Sequence, residues 1–426
     1  MKRLFPAFAL LFFCFRVAAQ QPTGIQVENV NRIISFLAAD NMLGRKIYSP
    51  EIEKAAHFIA DEFKSAGLKP LTGGDFLQHF SMVEARQESL EAKVGNKELD
   101  PQKLVVFTAL PELNIKGSEL EIRQIKAGDN LFGSVMEMIG AHKNLLVKVD
   151  ESFQSRFSRI ATLKRSFFKT DATVVFVLGE VSARDLTLKA THQINERKLA
   201  NVAGLLPGKK KKDEYVIFSA HYDHIGTGKP EKGDSIYNGA NDDASGTTAV
   251  IELARYYSQK GGNERSLIFV AFTAEESGGF GSRYFSGQLA PEKVMAMFNI
   301  EMIGTDSKWG KNSAYITGYD RTTMGEILQK NLAGSHFSFH PDPYPEQQLF
   351  FRSDNATLAM LGVPAHSIST SKMDNEPNYH RVTDEVKTLD LENMTRIIEA
   401  IAVSAKTIVA GKDTPTRVDI NQLQNK

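Results

Sequence analysis

Histidines and paired carboxylates stand along the second half of this chain at spacings that suit a divalent metal. In Ser219-Ala-His-Tyr-Asp-His224 the imidazole of His221 and the carboxylate of Asp223 are two residues apart, so in extended chain they share a side. Such a carboxylate can accept the second ring N–H and fix which nitrogen faces an ion. Asn238-Gly-Ala-Asn-Asp-Asp-Ala-Ser-Gly246 sets Asp242 beside Asp243 in a glycine-flanked loop, where the two repel unless a cation or a helix N-terminus compensates them. Phe272-Thr-Ala-Glu-Glu-Ser-Gly-Gly279 repeats the problem with Glu275 and Glu276. A metal resolves it by binding one carboxylate and leaving the other to take a proton from water. Glu301 is the lone acid of the apolar stretch Val294 to Ile303, and His380 follows a polar loop in Asn378-Tyr-His-Arg-Val-Thr-Asp384. Taken singly, each is a strand-end pair, a turn or a core-edge carboxylate. Together they form a sulfur-free N/O donor set of the kind zinc or a similar ion takes.

The elements that must position these groups are legible nearby. Val216 to Ala220 and Leu267 to Thr273 are short, continuously apolar runs that predict buried strands of a largely parallel sheet. Between them Ser245 to Lys260 carries Ala249, Val250, Leu253 and Tyr256 on one face and stops at Gly261-Gly262, which predicts a helix with its C-terminal signal. This is a βαβ arrangement, whose ligand sites lie beyond the carboxyl ends of the strands. Two further helices are expected near the start: one over 27–40 with Val30, Ile33, Ile34 and Leu37 in line, and one opened by Ser49 and Pro50 and closed at Gly67. The fold class expected is α/β, a mostly parallel central sheet flanked by helices.

Residues 83–197 read differently. Short apolar segments (Leu104 to Phe107, Leu145 to Val149, Thr173 to Leu178) alternate with charged stretches and bring no histidine–carboxylate cluster, so they are expected to form a smaller inserted domain. Residues 20–82 and 198–411 would make the main body, and 412–426 a polar, flexible tail.

Composition excludes other classes. With 42% hydrophobic and 24% charged residues among 426, the chain is an ordinary globular one, and 51 basic residues balance 51 acidic ones. No global field is present to hold nucleic acid or an anionic membrane. Met1-Lys-Arg3, the apolar run Leu4 to Phe15 and Val17-Ala-Ala19 have the order of a secretory leader, which predicts cleavage after residue 19 and a secreted or periplasmic protein. A lipid anchor on Cys14 is disfavoured by Phe12-Phe13. After cleavage no cysteine remains, so disulfides, thiolate ligands and a cysteine nucleophile are excluded. No later stretch reaches roughly 18 apolar residues, so no stable membrane insertion is expected.

His221-Tyr-Asp223, Gly239-Ala-Asn-Asp-Asp-Ala-Ser-Gly246, Glu275-Glu276, Asn299-Ile-Glu301 and Tyr379-His380, in this order, resemble the M28 family of zinc metallopeptidases, which includes secreted bacterial aminopeptidases. Leu43-Gly-Arg45 and Arg352-Ser-Asp354 look like further landmarks of that family. The resemblance implies two zinc ions bridged by Asp242, one completed by His221 and Glu301 and the other by Glu276 and His380. It implies Glu275 as general base, Asp223 as the orienter of His221, Tyr379 as donor to the oxyanion, and peptides with a free N-terminus as substrates. Arg352, Phe350, Phe351 and Asp354 are candidates for the substrate pocket. The insertion resembles, more weakly, the protease-associated or lid domains of some members.

Two departures stand out. Most members have Asp where Glu301 stands, and the family's common Ser-Asp-His is Ser353-Asp354-Asn355 here. Glutaminyl cyclases, dipeptidases and carboxypeptidases on the same fold are the alternative readings. His221 with Asp242-Asp243 argues for two metals against the single-zinc cyclases, and Arg352 alone is thin support for an acidic C-terminal pocket. His224, His336, His340 and His366 are read as ordinary histidines.

Overall fold

The computed structural model describes residues 24–423, so the leader read over 1–19, with Cys14, lies outside the described residues. Helix Val27–Leu37 turns Val30, Ile33, Ile34 and Leu37 to one buried face, as their spacing requires. In helix Pro50–Ser65 the Ser49 hydroxyl accepts the Ile52 N–H at 3.3 Å, while Pro50 takes the first position, where its missing N–H leaves nothing unpaired.

The large central sheet is mixed, with its parallel part in the middle. Strands Ala365–Ser369, Val294–Ile300, Lys211–His221 and Arg265–Phe272 lie side by side in that order and run parallel. Their central stretches Val216 to Phe218, Leu267 to Phe272 and Val294 to Phe298 are apolar because both faces are covered there. Val216, Phe218 and Ala220 join the core shared with helices Val27–Leu37, Ser245–Lys260 and Leu391–Ser404, whereas Ile217 meets Phe285 and Leu358 on the other face. Antiparallel strands complete the sheet on both sides: Ser313–Ile316 beside Ala365–Ser369, and Leu186–Leu206 beside Arg265–Phe272.

Leu77–Val94 and Leu186–Leu206 pair from Leu77↔Val202 to Val94↔Leu186, a long ribbon that carries the sheet away from the body. Glu196 faces Val83 and Arg197 faces Met82 within that ladder, so the chain leaves for the intervening segment and returns from it through paired strands. The three apolar segments noted in the sequence become strands Leu104–Phe107, Leu145–Val149 and Val174–Leu178, joined by Glu121–Ile125 in a separate four-stranded sheet. Val105, Val147 and Phe176 pack there with Leu131, Val135 and Ile139 of helix Leu131–Gly140. Among the described residues no helix is long and apolar enough to cross a membrane.

Three parallel strands end together, at His221, Phe272 and Ile300, and the polar motifs follow at that end.

Candidate active site

Much of the site's rigidity comes from backbone held by buried charge. The Asp243 carboxylate accepts the N–H groups of His221 (3.3 Å), Gly246 (3.0 Å) and Met302 (3.1 Å), tying together three separate segments. Only glycine fits at 246, since a Cβ there would collide with the Ile300 carbonyl oxygen and the Asp243 carboxylate. The Asp384 carboxylate accepts Asn241 N–H at 2.8 Å and Asp242 N–H at 3.1 Å. Arg45, fully buried, donates to the carbonyls of Tyr222 (2.8 Å), Leu37 (2.7 Å), Asn238 (2.6 Å) and Gly239 (2.9 Å). Ala274, Met302 and His380 have positive φ beside or at the reactive side chains, a conformation costly for non-glycine residues that persists where surrounding contacts over-determine it.

On this frame Asp242 sits between two histidine–glutamate pairs. Its Oδ1 is 3.2 Å from His221 Nε2, which is 3.4 Å from Glu301 Oε1. Its Oδ2 is 3.2 Å from His380 Nε2, which is 3.3 Å from Glu276 Oε2. Ligands bound about 2.0–2.1 Å from a tetrahedral ion stand about 3.3 Å apart, so these donors fit a metal. His224, set aside in the sequence, also belongs to this cluster: its Nδ1 is 2.8 Å from Glu276 Oε1 and 4.0 Å from Asp242 Oδ2. The ring is buried, yet neither nitrogen has a well-aligned hydrogen bond, and Glu276 Oε1 is equally unpaired. Buried donors and acceptors left this way fit a site completed by an ion. Nothing in the spacing of His224 distinguished it; only the turn after His221 brings it inward.

Electrostatics agrees. Burial alone would lower His221, but Glu301 and Asp242 hold it well above an ordinary imidazole. Contacts with Asp242 and Glu276 raise His380 to about 10. Burial raises Glu276, but contacts with His224 and His380 outweigh it and bring the carboxyl down to about 2. Glu275 goes the other way: burial, opposed by His221 and reinforced by Asp354, Glu301 and Glu276, holds it well above the usual carboxylate range. Two adjacent carboxylates thus differ sharply in their affinity for a proton.

Other expected residues fall at varied distances. The His221 ring finds the Asp223 carbonyl at 3.1 Å, while the Asp223 carboxylate is 3.8 Å away and accepts Glu275 N–H at 3.1 Å. Asp223 thus touches both His221 and the backbone of Glu275. Tyr379 stacks on His380 at 4.0 Å and lines the cavity, as does Arg352. Phe350 and Phe351 do not line it. They occupy the turn Leu349–Phe351, whose roughly 120° rotation per residue sends successive side chains different ways. Leu349 faces the cavity with Tyr315 and Met373, while Phe350 packs against His366 and beneath Arg321. Asp354 is buried off the lining, where burial, opposed by His221, raises its carboxyl to about 7. Asn355 is buried too, donating to the carbonyls of Phe350 and Ala365 and accepting from Ser367.

Glu301 has a support that its sequence motif did not announce. The Ser353 hydroxyl donates to its Oε2 at 2.6 Å, and Asn299 donates to Ser353 at 2.8 Å and to Ser367 at 3.0 Å while accepting from Ser219 at 2.8 Å. One oxygen of the longer side chain is thereby fixed, and the other is left toward His221.

Comparison with known proteins agrees with this architecture. Residues 201–405 match the model of Peptidase family M28. Leucine aminopeptidase 1 of Neurospora crassa is 25% identical over 229 residues, covering 50% of this chain and 55% of that protein. Aminopeptidase YwaD of Bacillus subtilis is 24% identical over 255 residues, covering 55% of this chain and 49% of that protein. The matched region therefore spans about half the length of these curated relatives. Among solved structures, an aminopeptidase from Aneurinibacillus sp. strain AM-1 aligns with a TM-score of 0.53 at 19% identity, covering 93% of this chain and 96% of that one. A zinc aminopeptidase from Bacillus subtilis aligns with a TM-score of 0.54 at 17% identity, covering 94% and 100%. These likenesses establish a shared fold, and through residues 201–405 the chain belongs to peptidase family M28.

Proposed function

We propose that this protein is an exported aminopeptidase that removes N-terminal residues from peptides with the help of two divalent ions, zinc foremost. His221, Asp242 and Glu301 would hold one ion, and His380, Asp242 and Glu276 the other. The observation that carries the reading is the position of Asp242, with one oxygen toward each histidine–glutamate pair beside a buried Glu275. When bound, two such ions polarise the scissile carbonyl and bring the pKa of water toward neutrality.

The chain's own groups supply the rest. Glu275 takes the proton of the attacking water and later delivers it to the leaving amine, and its raised affinity for a proton suits that task. Asp223 orients Glu275 through the backbone N–H. Burial and the charges of Asp242 and Glu276 keep the Tyr379 hydroxyl protonated, so it can donate to the developing oxyanion, an interaction of the order of 3–4 kcal/mol in comparable sites. Glu275 and Glu301 present negative charge to a free α-ammonium and disfavour a blocked terminus. Leu349, Tyr315 and Met373 give the cavity an apolar wall for the first side chain. Export rests on the leader pattern of residues 1–19, and segment 83–197 is read as a cover over the cleft.

Mass-spectrometric product analysis of the zinc-loaded protein tests this, using paired peptides with free and N-acetylated termini, some beginning with glutamine. Stepwise loss of single residues from free termini alone is expected. Release of ammonia from glutamine peptides without shortening would replace the reading with cyclisation, and internal cleavage would replace it with endopeptidase action.

A further inference from the structure

We propose that a second cavity, next to the catalytic one, anchors the C-terminal carboxylate of short peptides, making this chain an enzyme for peptides of a few residues. This deepens the aminopeptidase reading and rests on it. The cavity measures about 210 Å³ and lies where the body meets the ribbon and segment 83–197. Tyr48, Ser277 and Phe280 reach it from the body, Arg165 from segment 83–197 and Arg197 from the ribbon.

One turn separates the two cavities. Glu275 and Glu276 line the catalytic cavity, whereas Ser277 and Phe280 line this one. The turn is closed by Gly278 N–H to Glu275 O and Gly279 N–H to Ala274 O, both at 2.9 Å. Consecutive Cα atoms lie about 3.8 Å apart and an extended peptide advances about 3.3–3.6 Å per residue, so a substrate of two to four residues spans roughly 7–14 Å. A peptide whose N-terminus is held at Glu275 and whose chain passes the turn would bring its other end to this cavity.

The arginines are presented by the architecture. In the ribbon Asn195 opposes Glu84 and Arg197 opposes Met82. Directly opposed residues share a face, as do residues two apart on a strand, so these four side chains lie on one face of the ribbon, and all four line the cavity. The Arg197 guanidinium lies 5.0 Å from the centre of the Tyr48 ring, a contact that holds its plane. Among the described residues neither Arg165 nor Arg197 has an ion-pair partner, Arg197 donates through Nε and Nη2 to the Asn195 amide oxygen at 3.3 Å, and Glu84 is the sole carboxylate in the lining. Two guanidinium groups against one carboxylate leave the wall positive, and the guanidinium fork matches a carboxylate in both charge and shape.

The inference predicts selection by length and by terminus. It is tested with Leu-Gly-Gly against its C-terminal amide, in the wild type and in Arg165→Gln, Arg197→Gln and the double variant. The acid should exceed the amide in kcat/KM by about tenfold or more, through KM, and the ratio should fall toward one as the arginines are removed. A ratio near one in the wild type, or one that survives the double substitution, would overturn the proposal. Calorimetric titration of the same two peptides into zinc-loaded Glu275→Gln protein, with and without the arginine substitutions, reads the preference without turnover. If neither peptide is ever cleaved, the aminopeptidase reading fails while this binding ratio still decides the subsite. Equal binding of acid and amide, with inorganic phosphate taken up at the arginines, would assign the cavity to a free anion and also overturn the proposal.

Discussion

Replacing Ser353 by alanine tests the support that its hydroxyl gives to Glu301 as a proposed metal ligand. The lost contact is the 2.6 Å bond from the Ser353 hydroxyl to Glu301 Oε2. A hydrogen bond to a charged group contributes about 1.5–3 kcal/mol, and each 1.4 kcal/mol is a factor of ten. The Asn299 amide retains Ser367 at 3.0 Å, so the perturbation stays local. The ion proposed for His221, Asp242 and Glu301 should therefore bind roughly 10- to 100-fold more weakly, in line with losses seen when groups that orient metal ligands are removed. The ion at His380, Asp242 and Glu276 should be little changed. Competition titration of the apoprotein against a chromophoric chelator resolves the two steps, and Ser353→Thr, which keeps the hydroxyl, should restore the weakened one. Two unchanged affinities would refute the role assigned to Ser353, and equal weakening of both would show that the two triads are not separate sites.

Further substitutions probe other parts of the account. Glu275→Gln should retain its metal and lose at least about a hundredfold in kcat on a free-N-terminus peptide, with metal content and turnover measured on one sample. Arg45→Met leaves four buried carbonyls without their donor and removes the cation that faces Asp384 and Asp223; urea unfolding should show a loss of about 3–5 kcal/mol. His366 is fully buried, with its ring bonded to the Thr317 carbonyl and the Thr322 hydroxyl, each at 2.8 Å. Burial, opposed by the Thr317 bond and aided by Arg321, lowers it to about 4. Because the unfolded chain binds this proton near 6.5 and the folded one only near 4, the group's contribution is intact above pH 6.5 and is lost as pH falls toward 4. The loss is about 3 kcal/mol. Unfolding at pH 7 and 4.5 should show that slope, and His366→Gln should flatten it.

The residues of the proposed site were readable as a set because chemistry restricts their types, adjacent acids at the end of a buried strand calling for a cation, and the fold brings His221, Asp242, Glu276, Glu301 and His380 together. The βαβ core was readable because the strand stretches buried on both faces, Val216 to Phe218 and Leu267 to Phe272, are apolar and the helix between them ends at Gly261-Gly262. What escaped the sequence depends on contacts between distant segments. His224 shares a motif with His221, yet its part in the cluster follows from the approach of Glu276, 52 residues on. Ser353 becomes meaningful only when the segment after Arg352 reaches Glu301, and Asp384 only when it meets the backbone of Asn241 and Asp242. Phe350 and Phe351 were misleading as pocket walls because a tight helical turn hands the cavity to Leu349. The antiparallel ribbon of Leu77–Val94 and Leu186–Leu206 was hidden for a related reason: its ladder joins residues more than ninety positions apart, and its exposed charged stretch carries no clean alternation.

The central claim is that Asp242 joins two ion sites into one hydrolytic centre. Chelated protein titrated with zinc, with hydrolysis of a free-N-terminus peptide followed at each addition, tests it most directly. Activity should rise until two equivalents are bound, and Asp242→Asn should bind poorly and stay inactive. Full activity at one equivalent, or activity in the chelated protein, would contradict the account.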